Sequence, residues 1–145
     1  AAYIYSRVRF EEGAPERDRP LAGQSPYLVN AGFFYQYDDK GISASLLYNR
    51  IGKRIESVGV PMQNQNEDIP DIYEMPRNSL DLTFSKKIGK IVEIKAGIQD
   101  MLNSKVEYKQ FVKLTDDKGG KSEREQLIRS YRPGVDINIG VSLRF

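Results

Sequence analysis

The chain contains neither cysteine nor histidine among its 145 residues. Disulfides, thiol nucleophiles, zinc sites of the usual kind and every triad with an imidazole base are therefore excluded. The acidic pairs do not supply an alternative. Glu11 and Glu12 are adjacent and point apart in an extended chain, whereas a glycosidase needs two carboxyls that face each other across the substrate. We predict no catalytic residues, no metal, no cofactor and no enzyme activity.

Long hydrophobic runs are also missing. Hydrophobic residues make up 39% of the chain, and the mean hydropathy is -0.55. No segment approaches the ~18 consecutive apolar residues of a membrane helix, so a role in a membrane would require a β-barrel. The net charge of +2 is too small to indicate a nucleic acid partner.

The last eleven residues alternate apolar and polar side chains without exception. The apolar set is Val135, Ile137, Ile139, Val141, Leu143 and Phe145, and the polar set is Asp136, Asn138, Gly140, Ser142 and Arg144. Because successive side chains of a strand point to opposite faces, this pattern predicts a two-faced β-strand. Its length suits a tilted crossing of a bilayer, which takes about 9 to 11 residues. A strand of a soluble β-sandwich is the alternative.

Similar alternation predicts five further strands, and the six together cover residues 1–10, 27–37, 42–51, 79–85, 91–99 and 135–145. Residues 106–114 continue the fifth strand beyond a break at Asn103 and Ser104. Segments 11–25, 52–78 and 115–133 are polar and contain glycine or proline, so we predict long loops there.

The predicted connections alternate in length: long, short, long, short, long. An antiparallel up-and-down meander with its tight turns at one rim explains this regularity, and a Greek-key sandwich does not. Outer-membrane barrels have short periplasmic turns and long outward loops. We therefore predict an all-β, antiparallel up-and-down meander of about six strands that forms part of a transmembrane β-barrel. Known single-chain barrels have about eight strands or more, so this wall would be incomplete.

Tyr27 and Tyr35 share one face of the second strand, about 26 Å apart at the usual rise per residue. With a tilt of ~40° this distance projects to ~20 Å, near the ~25 Å apolar band between the aromatic girdles of a barrel. The spacing favours girdle positions. The alternative is that tyrosine is simply a good strand former.

Short motifs at residues 19–30, 48–52, 70–76, 80–82, 97–103 and 131–134 occur in a characteristic order. Their sequences are RPLAGQSPYLVN, YNRIG, PDIYEMP, LDL, GIQDMLN and YRPG. In this order they resemble the C-terminal end of a TonB-dependent receptor of the Bacteroidetes type. The chain also ends as outer-membrane barrels commonly do, with Asn138, Gly140, Leu143 and Phe145 at the matching positions. That ending implies recognition by the barrel-assembly machinery.

The resemblance implies that residues 1–145 are the C-terminal portion of a 22-stranded barrel. The parent would have an N-terminal plug domain and a segment that contacts the TonB complex. Residue 1 is not methionine and no signal peptide is present, so we expect a piece of a longer precursor. The implied location is the outer membrane of a Gram-negative bacterium, with lipid, the plug and the rest of the barrel as partners. The implied function is active uptake of a scarce large nutrient, of the siderophore, cobalamin, glycan or peptide class.

The charges of the predicted strands are expected to face the lumen, because a lipid-facing Arg or Lys costs about 2 to 4 kcal/mol at mid-bilayer. They are Asp81, Glu93, Lys95, Asp136 and Arg144. Ion pairing with neighbouring strands is their favoured role, with contact to the plug or a substrate as the alternative. A basic turn of Lys86, Lys87 and Lys90 is predicted to be solvated, with anionic lipid as the alternative partner.

Ligand contact is expected in the outer loops, at Tyr73, Arg77 and Tyr131, because aromatic and Arg side chains dominate many binding surfaces. Two other functions stay open from the residues alone. One is a small complete outer-membrane barrel with a structural or adhesive role, which a native precursor near 16.5 kDa would support. The other is a soluble β-rich binding domain, which would stay folded and monodisperse without detergent.

Overall fold

A computed structural model of the chain describes residues 1–7, 19–60, 69–89, 91–115 and 120–143. The described strands are β1 (Ala2–Tyr3), β2 (Tyr27–Tyr37), β3 (Ile42–Ile51), β4 (Arg54–Ser57), β5 (Ile72–Glu74), β6 (Arg77–Ile88), β7 (Val92–Gln99), β8 (Val106–Thr115), β9 (Lys121–Tyr131) and β10 (Asp136–Leu143). All pairings between them are antiparallel. The predicted all-β, antiparallel class is confirmed. No helix in these ranges has the length and apolar character needed to cross a membrane.

The larger sheet has six strands in the order β1-β2-β3-β6-β7-β10. Its neighbours follow chain order, so it is a meander whose two long connections fold into other strands. The short connections lie together at one rim, which we call the short-turn rim, and β10 also ends there because Leu143 pairs with Val92. At this rim Gly41 closes a 3-10 turn (Asp38–Lys40) with a φ of 60°, a conformation that glycine adopts without steric cost.

The smaller sheet has four strands in the order β4-β5-β8-β9 and lies at the opposite rim, where β3 leads into β4 and β5 leads into β6. We call this the long-connection rim. The small buried core of the described residues is here, with Ile55 at 0% exposure, Val106 at 3% and Tyr108 at 8%. Asp71 is buried as well, and its Oδ1 accepts the backbone N–H of Gly59 at 2.7 Å.

Prediction and structure agree closely for the alternating strands. The second and third predicted strands, 27–37 and 42–51, have the bounds of β2 and β3. The predicted strand 79–85 lies inside the longer β6, and those at 91–99 and 135–145 correspond to β7 and β10. The predicted strand at 1–10 is wrong in extent, because β1 covers only Ala2–Tyr3. Residues 8–10 and 144–145 lie outside the described ranges.

Two predicted loops are wrong. Segment 52–78 contains β4, β5 and the first residues of β6, and segment 115–133 contains β9. The sequence of β9 places charged residues on both faces, so it lacks the alternation that marks an amphipathic strand. Its strand conformation is stabilised by its partner β8, through pairs such as the 2.6 Å contact between Lys109 Nζ and Glu125 Oε1.

Residues 106–114 do not continue the fifth strand, contrary to the prediction. They form most of β8, which belongs to the smaller sheet. The chain turns between the two strands at Asp100 and Asn103, whose φ angles are 51° and 43°. The Asn103 N–H donates to the Asp100 carbonyl at 2.8 Å. Asn and Asp are among the residues that adopt this left-handed conformation most readily, so a turn replaces the expected continuation.

Candidate functional site

One face of the larger sheet is apolar from β2 to β10. Directly paired residues of antiparallel strands share a face, so the register determines the members of this set. The set, which we call the apolar face, is Val29, Ala31, Phe33, Tyr35, Ile42, Ala44, Leu46, Tyr48, Leu80, Leu82, Phe84, Ile88, Val92, Ile94, Ala96, Ile98, Ile137, Ile139, Val141 and Leu143. The same register places Tyr37 and Lys86 on this face at the short-turn rim, and Arg50 and Asn78 at the other rim. Two hairpins, β2–β3 and β6–β7, and the later strand β10 thus present one continuous hydrocarbon surface.

The apolar face is uncovered in the described part of the chain. Phe33 of β2 is 66% exposed, Phe84 of β6 42% and Ile139 of β10 76%. Monomeric soluble proteins rarely expose contiguous apolar patches larger than about a few hundred Å². An exposed apolar face that spans five strands is therefore larger than the patches that soluble monomers usually leave in contact with water.

Both rims of the apolar face carry tyrosine together with cationic groups. At the long-connection rim, Arg50 Nε donates to the Tyr27 hydroxyl at 3.4 Å, and the Tyr48 hydroxyl donates to Asn78 Oδ1 at 3.0 Å. At the short-turn rim, Lys40 Nζ lies 5.6 Å from the centroid of the Tyr37 ring. Amphipathic rings and long cationic side chains are typical of the borders between hydrocarbon and water.

The opposite face of the same strands is mostly polar, although it also carries the exposed Phe34 and Leu47. Several of its polar side chains bond to one another across the sheet. The cross-strand hydrogen bonds join Asn49 to Asn30, Ser43 to Ser85 and Ser45 to Thr83. We call this the polar face. Its groups are satisfied within the sheet, so it can lie against protein or water without an unpaired buried dipole.

The charges that the sequence predicts to face a lumen lie on the polar face where they are described. Asp81 Oδ1 accepts the Asp100 N–H at 2.8 Å, and Lys95 Nζ lies 3.4 Å from Glu93 Oε2. Asp136 is on this face through its pairing with Gln99. Arg144 lies outside the described residues. The predicted role of these charges is ion pairing between neighbouring strands, but Glu93 and Lys95 pair within a single strand, β7.

The predicted assembly signal divides between the two faces. Asn138 and Gly140 lie on the polar face, and Leu143 is on the apolar face with 57% exposure. Phe145 lies outside the described residues. Asn138 occupies the space above Gly97, where an added Cβ would be 2.6 Å from Asn138 Oδ1. A side chain at position 97 would therefore displace the Asn138 amide.

The three predicted ligand residues are not brought together. Tyr73 is in β5, paired with Lys109, and Tyr131 ends β9, paired with Val106. Lys109 and Val106 alternate along β8, so the two tyrosines lie on opposite faces of the smaller sheet. Arg77 begins β6 on the polar face of the larger sheet, where it pairs with Ile51. The described residues therefore offer separate contact points here, not one convergent pocket of these three side chains.

Tyr73 belongs to a cluster that the sequence analysis missed. Its ring centroid is 5.8 Å from that of Phe111, with an edge-to-face angle of 69°. The ammonium of Lys53 is 4.0 Å from both centroids. Lys53 and Phe111 are far apart in sequence and carry no motif, so only the strand pairing could reveal this arrangement.

A second missed cluster surrounds Tyr131. The guanidinium carbon of Arg129 lies 4.3 Å from the centroid of the Tyr108 ring and 5.5 Å from that of Tyr131. Burial raises the pKa of Tyr108, because the phenolate would be poorly solvated there. Tyr131 remains 45% exposed. The pair of rings with an arginine between them offers a flat aromatic surface beside a fixed positive charge.

Ionised side chains reinforce β8 on its other face. Lys109 Nζ contacts both Glu125 and Glu107, at 2.6 and 3.5 Å. The hydrogen bond to Glu125 raises the pKa of Lys109, and the hydrogen bond from Lys105 lowers the pKa of Glu107. These groups support the hairpin of β8 and β9 and do not resemble a catalytic pair, because each carboxylate is matched to an ammonium.

No cluster of three or more acidic side chains is placed to hold a metal ion within the described ranges. Comparison with known protein families, with curated proteins and with solved structures found no match. The features that bear on function are therefore the two faces of the larger sheet and the strands at its long-connection rim.

Proposed function

We propose that the chain is the C-terminal wall of an outer-membrane β-barrel in a TonB-dependent receptor. The observation that carries this proposal is the apolar face, whose centre holds no charged residue. In bilayer hydrocarbon such a face is stable, because the backbone groups of a sheet are bonded between strands and only apolar side chains meet the lipid. The assignment to TonB-dependent receptors is supported by the ordered motifs between residues 19 and 145.

The dimensions of the apolar face support a complete crossing. On β3, Ile42 pairs with Tyr37 at the short-turn rim, and Arg50 pairs with Asn78 at the other rim. From Ile42 to Arg50 the strand advances by eight residues, which is about 26 Å along its axis. With a tilt of ~40° this length projects to about 20 Å, close to the ~25 Å apolar band of such barrels.

The unpaired edges of the sheet support additional strands. Within the described ranges, β10 pairs only with β7, and β1 covers only Tyr27 and Leu28 of β2. Long free edges invite pairing with another strand, and closure into a barrel removes them. In the proposed receptor, earlier strands of the parent chain pair with both edges.

The smaller sheet takes the role of the outward loops in this proposal. It continues from the rim opposite the short turns, where outer-membrane barrels carry their long connections. Exposed Tyr131, beside Arg129, is the contact point we propose for a large nutrient. The proposed partners are outer-membrane lipid, the plug and the rest of the barrel, the TonB complex through the N-terminal part, and the barrel-assembly machinery.

Site-specific fluorescence tests the orientation of the faces. These 145 residues contain no tryptophan, so in the native precursor, with any tryptophan outside them replaced, a single introduced Trp reports one position. We would compare Ile139→Trp on the apolar face with Gly140→Trp on the polar face, in bilayers whose acyl chains carry bromine as a quencher. Strong quenching is expected only for Ile139→Trp. Absent quenching there, or equal quenching at both positions, would contradict the membrane assignment.

The mass of the native precursor tests the assignment to a large receptor. A precursor several times heavier than the 16.5 kDa of this chain is expected. A precursor near that mass, combined with quenching of Ile139→Trp, would instead identify a small complete barrel. A chain that is folded and monodisperse without detergent would identify a soluble binding domain.

A further inference from the structure

Charged side chains at the short-turn rim lie on both faces of the larger sheet. Gln36, on the polar face, donates from Nε2 to Asp38 Oδ1 at 2.7 Å, which draws that carboxylate to the polar side, where Lys87 also lies. Tyr37 and Lys86 are both on the apolar face, because each pairs with Ile42. The apolar side of the rim is therefore basic at Lys86, and the polar side carries both signs of charge.

Lys86 and Lys40 are connected on the basic side through the Lys40 backbone. Lys86 Nζ donates to the Lys40 carbonyl at 2.6 Å, and Lys40 Nζ lies over the Tyr37 ring at 5.6 Å from its centroid. Within the described ranges neither lysine forms an ion pair. Each ammonium has three donors, so both retain donors for an anion after these contacts.

We propose that Lys40 and Lys86, with Tyr37, bind the phosphate of an anionic phospholipid headgroup at the short-turn rim. This inference depends on the proposed function, because it requires the apolar face to lie in a bilayer. Lysine stems extend along hydrocarbon while their ammonium groups reach the headgroup level. The sequence analysis favours a solvated turn, and the pairing of Lys86 with Lys40 is what changes that assignment.

The surroundings favour a lipid over a free anion. Ile88 lies two residues beyond Lys86 on the same face and is 52% exposed. Leu143 is on that face as well, through the shared partner Val92. A phospholipid would place its phosphate at the two lysines and its acyl chains along these apolar side chains. A free phosphate would use only the lysines.

Lipid selectivity measured at one introduced tryptophan tests the site. Ile88→Trp would be placed in phosphatidylcholine bilayers that contain either brominated phosphatidylglycerol or brominated phosphatidylcholine. Each lysine near an anionic surface is worth about a fivefold preference, so the glycerol lipid is expected to quench more strongly. Adding Lys86→Gln should lower the preference about fivefold, and Lys40→Gln together with Lys86→Gln should lower it roughly 25-fold.

Lys87→Gln is the matched control, because Lys87 is adjacent in sequence and lies on the polar face through its pairing with Glu93. It removes the same charge and should leave the preference unchanged. Equal quenching by both lipids in the Ile88→Trp chain, or equal effects of Lys86→Gln and Lys87→Gln, would overturn the inference. Loss of the preference on addition of inorganic phosphate at constant ionic strength would also overturn it, in favour of a free-anion site.

The two proposals fail in different ways. If brominated lipid of either kind quenches neither Ile88→Trp nor Ile139→Trp, the membrane assignment itself is wrong, and the headgroup site is wrong with it. If both variants are quenched without a preference for the anionic lipid, only the headgroup site is wrong.

Discussion

The Nζ atom of Lys53 lies 4.0 Å from the centroid of the Tyr73 ring. Lys53 lies between β3 and β4, two residues after the end of β3, and Tyr73 is the middle residue of β5. Phe111 of β8 lies at the same distance from that ammonium. One side chain thus connects the chain leaving the larger sheet to two strands of the smaller sheet.

Replacing Lys53 with methionine should loosen the smaller sheet. The substitution keeps an apolar stem and removes the cation, whose interaction with two rings is worth about 1 to 2 kcal/mol. The backbone amides of Tyr73 and Lys109 should then exchange hydrogen faster, by the factor in rate that this loss of free energy predicts. Lys113→Met, at an exposed position of β8, is the control and should leave these rates unchanged. Equal acceleration by both substitutions would contradict the proposed contact.

A charge in the middle of the apolar face should be costly in a bilayer. Ile139 is near the centre of β10, so Ile139→Arg is expected to lower the free energy of unfolding by about 2 to 4 kcal/mol. Gly140→Arg places the same charge on the polar face, where an added Cβ meets nothing within 4 Å. Denaturant unfolding from bilayers measures both values. Similar costs for the two variants would show that the faces are not in different media.

Crowding at Gly97 should be relieved by shortening Asn138. Gly97→Val places a Cβ 2.6 Å from Asn138 Oδ1, the end of an exposed side chain that can turn aside, so we expect a cost at the low end of the roughly 1 to 3 kcal/mol typical of overpacking. In a chain that also carries Asn138→Ala, most of this cost should disappear, and a double-mutant cycle measures the coupling. Gly140→Val, with open space around its Cβ, is the control. Additive effects of the two substitutions would exclude the contact.

Tyr108 should make stability depend on alkaline pH. Burial raises its pKa above the ordinary value of 10.0, so the folded chain holds this proton more tightly than the unfolded chain does. The resulting stability is complete below the unfolded pKa and is lost as pH rises through the folded pKa. Tyr108→Phe should remove this slope, which denaturant unfolding at a series of alkaline pH values measures. An unchanged slope in that variant would contradict the assignment to Tyr108.

The alternating segments needed only local information. In β7 and β10 apolar residues alternate with polar residues or glycine at every step, and in β2 and β3 they do so at most steps. This period of two identifies a strand and its two faces. The common face of Asp81, Glu93, Lys95 and Asp136 follows from the same parity. Once the register of neighbouring strands is known, these faces merge into one surface.

The sequence by itself determined the strand class of those segments and which of their side chains share a face, because a strand's period of two is a local property of the backbone. Only the tertiary structure decided that segments 52–78 and 115–133 contain strands of a second sheet, because β5 and β9 depend on β8 for their hydrogen bonds and salt bridges. The Lys53 cluster and the Lys40–Lys86 pair were decided in the same way. Each contains a contact between residues more than forty positions apart, from Lys86 Nζ to the Lys40 carbonyl and from Lys53 to the Phe111 ring, and no local pattern specifies such contacts.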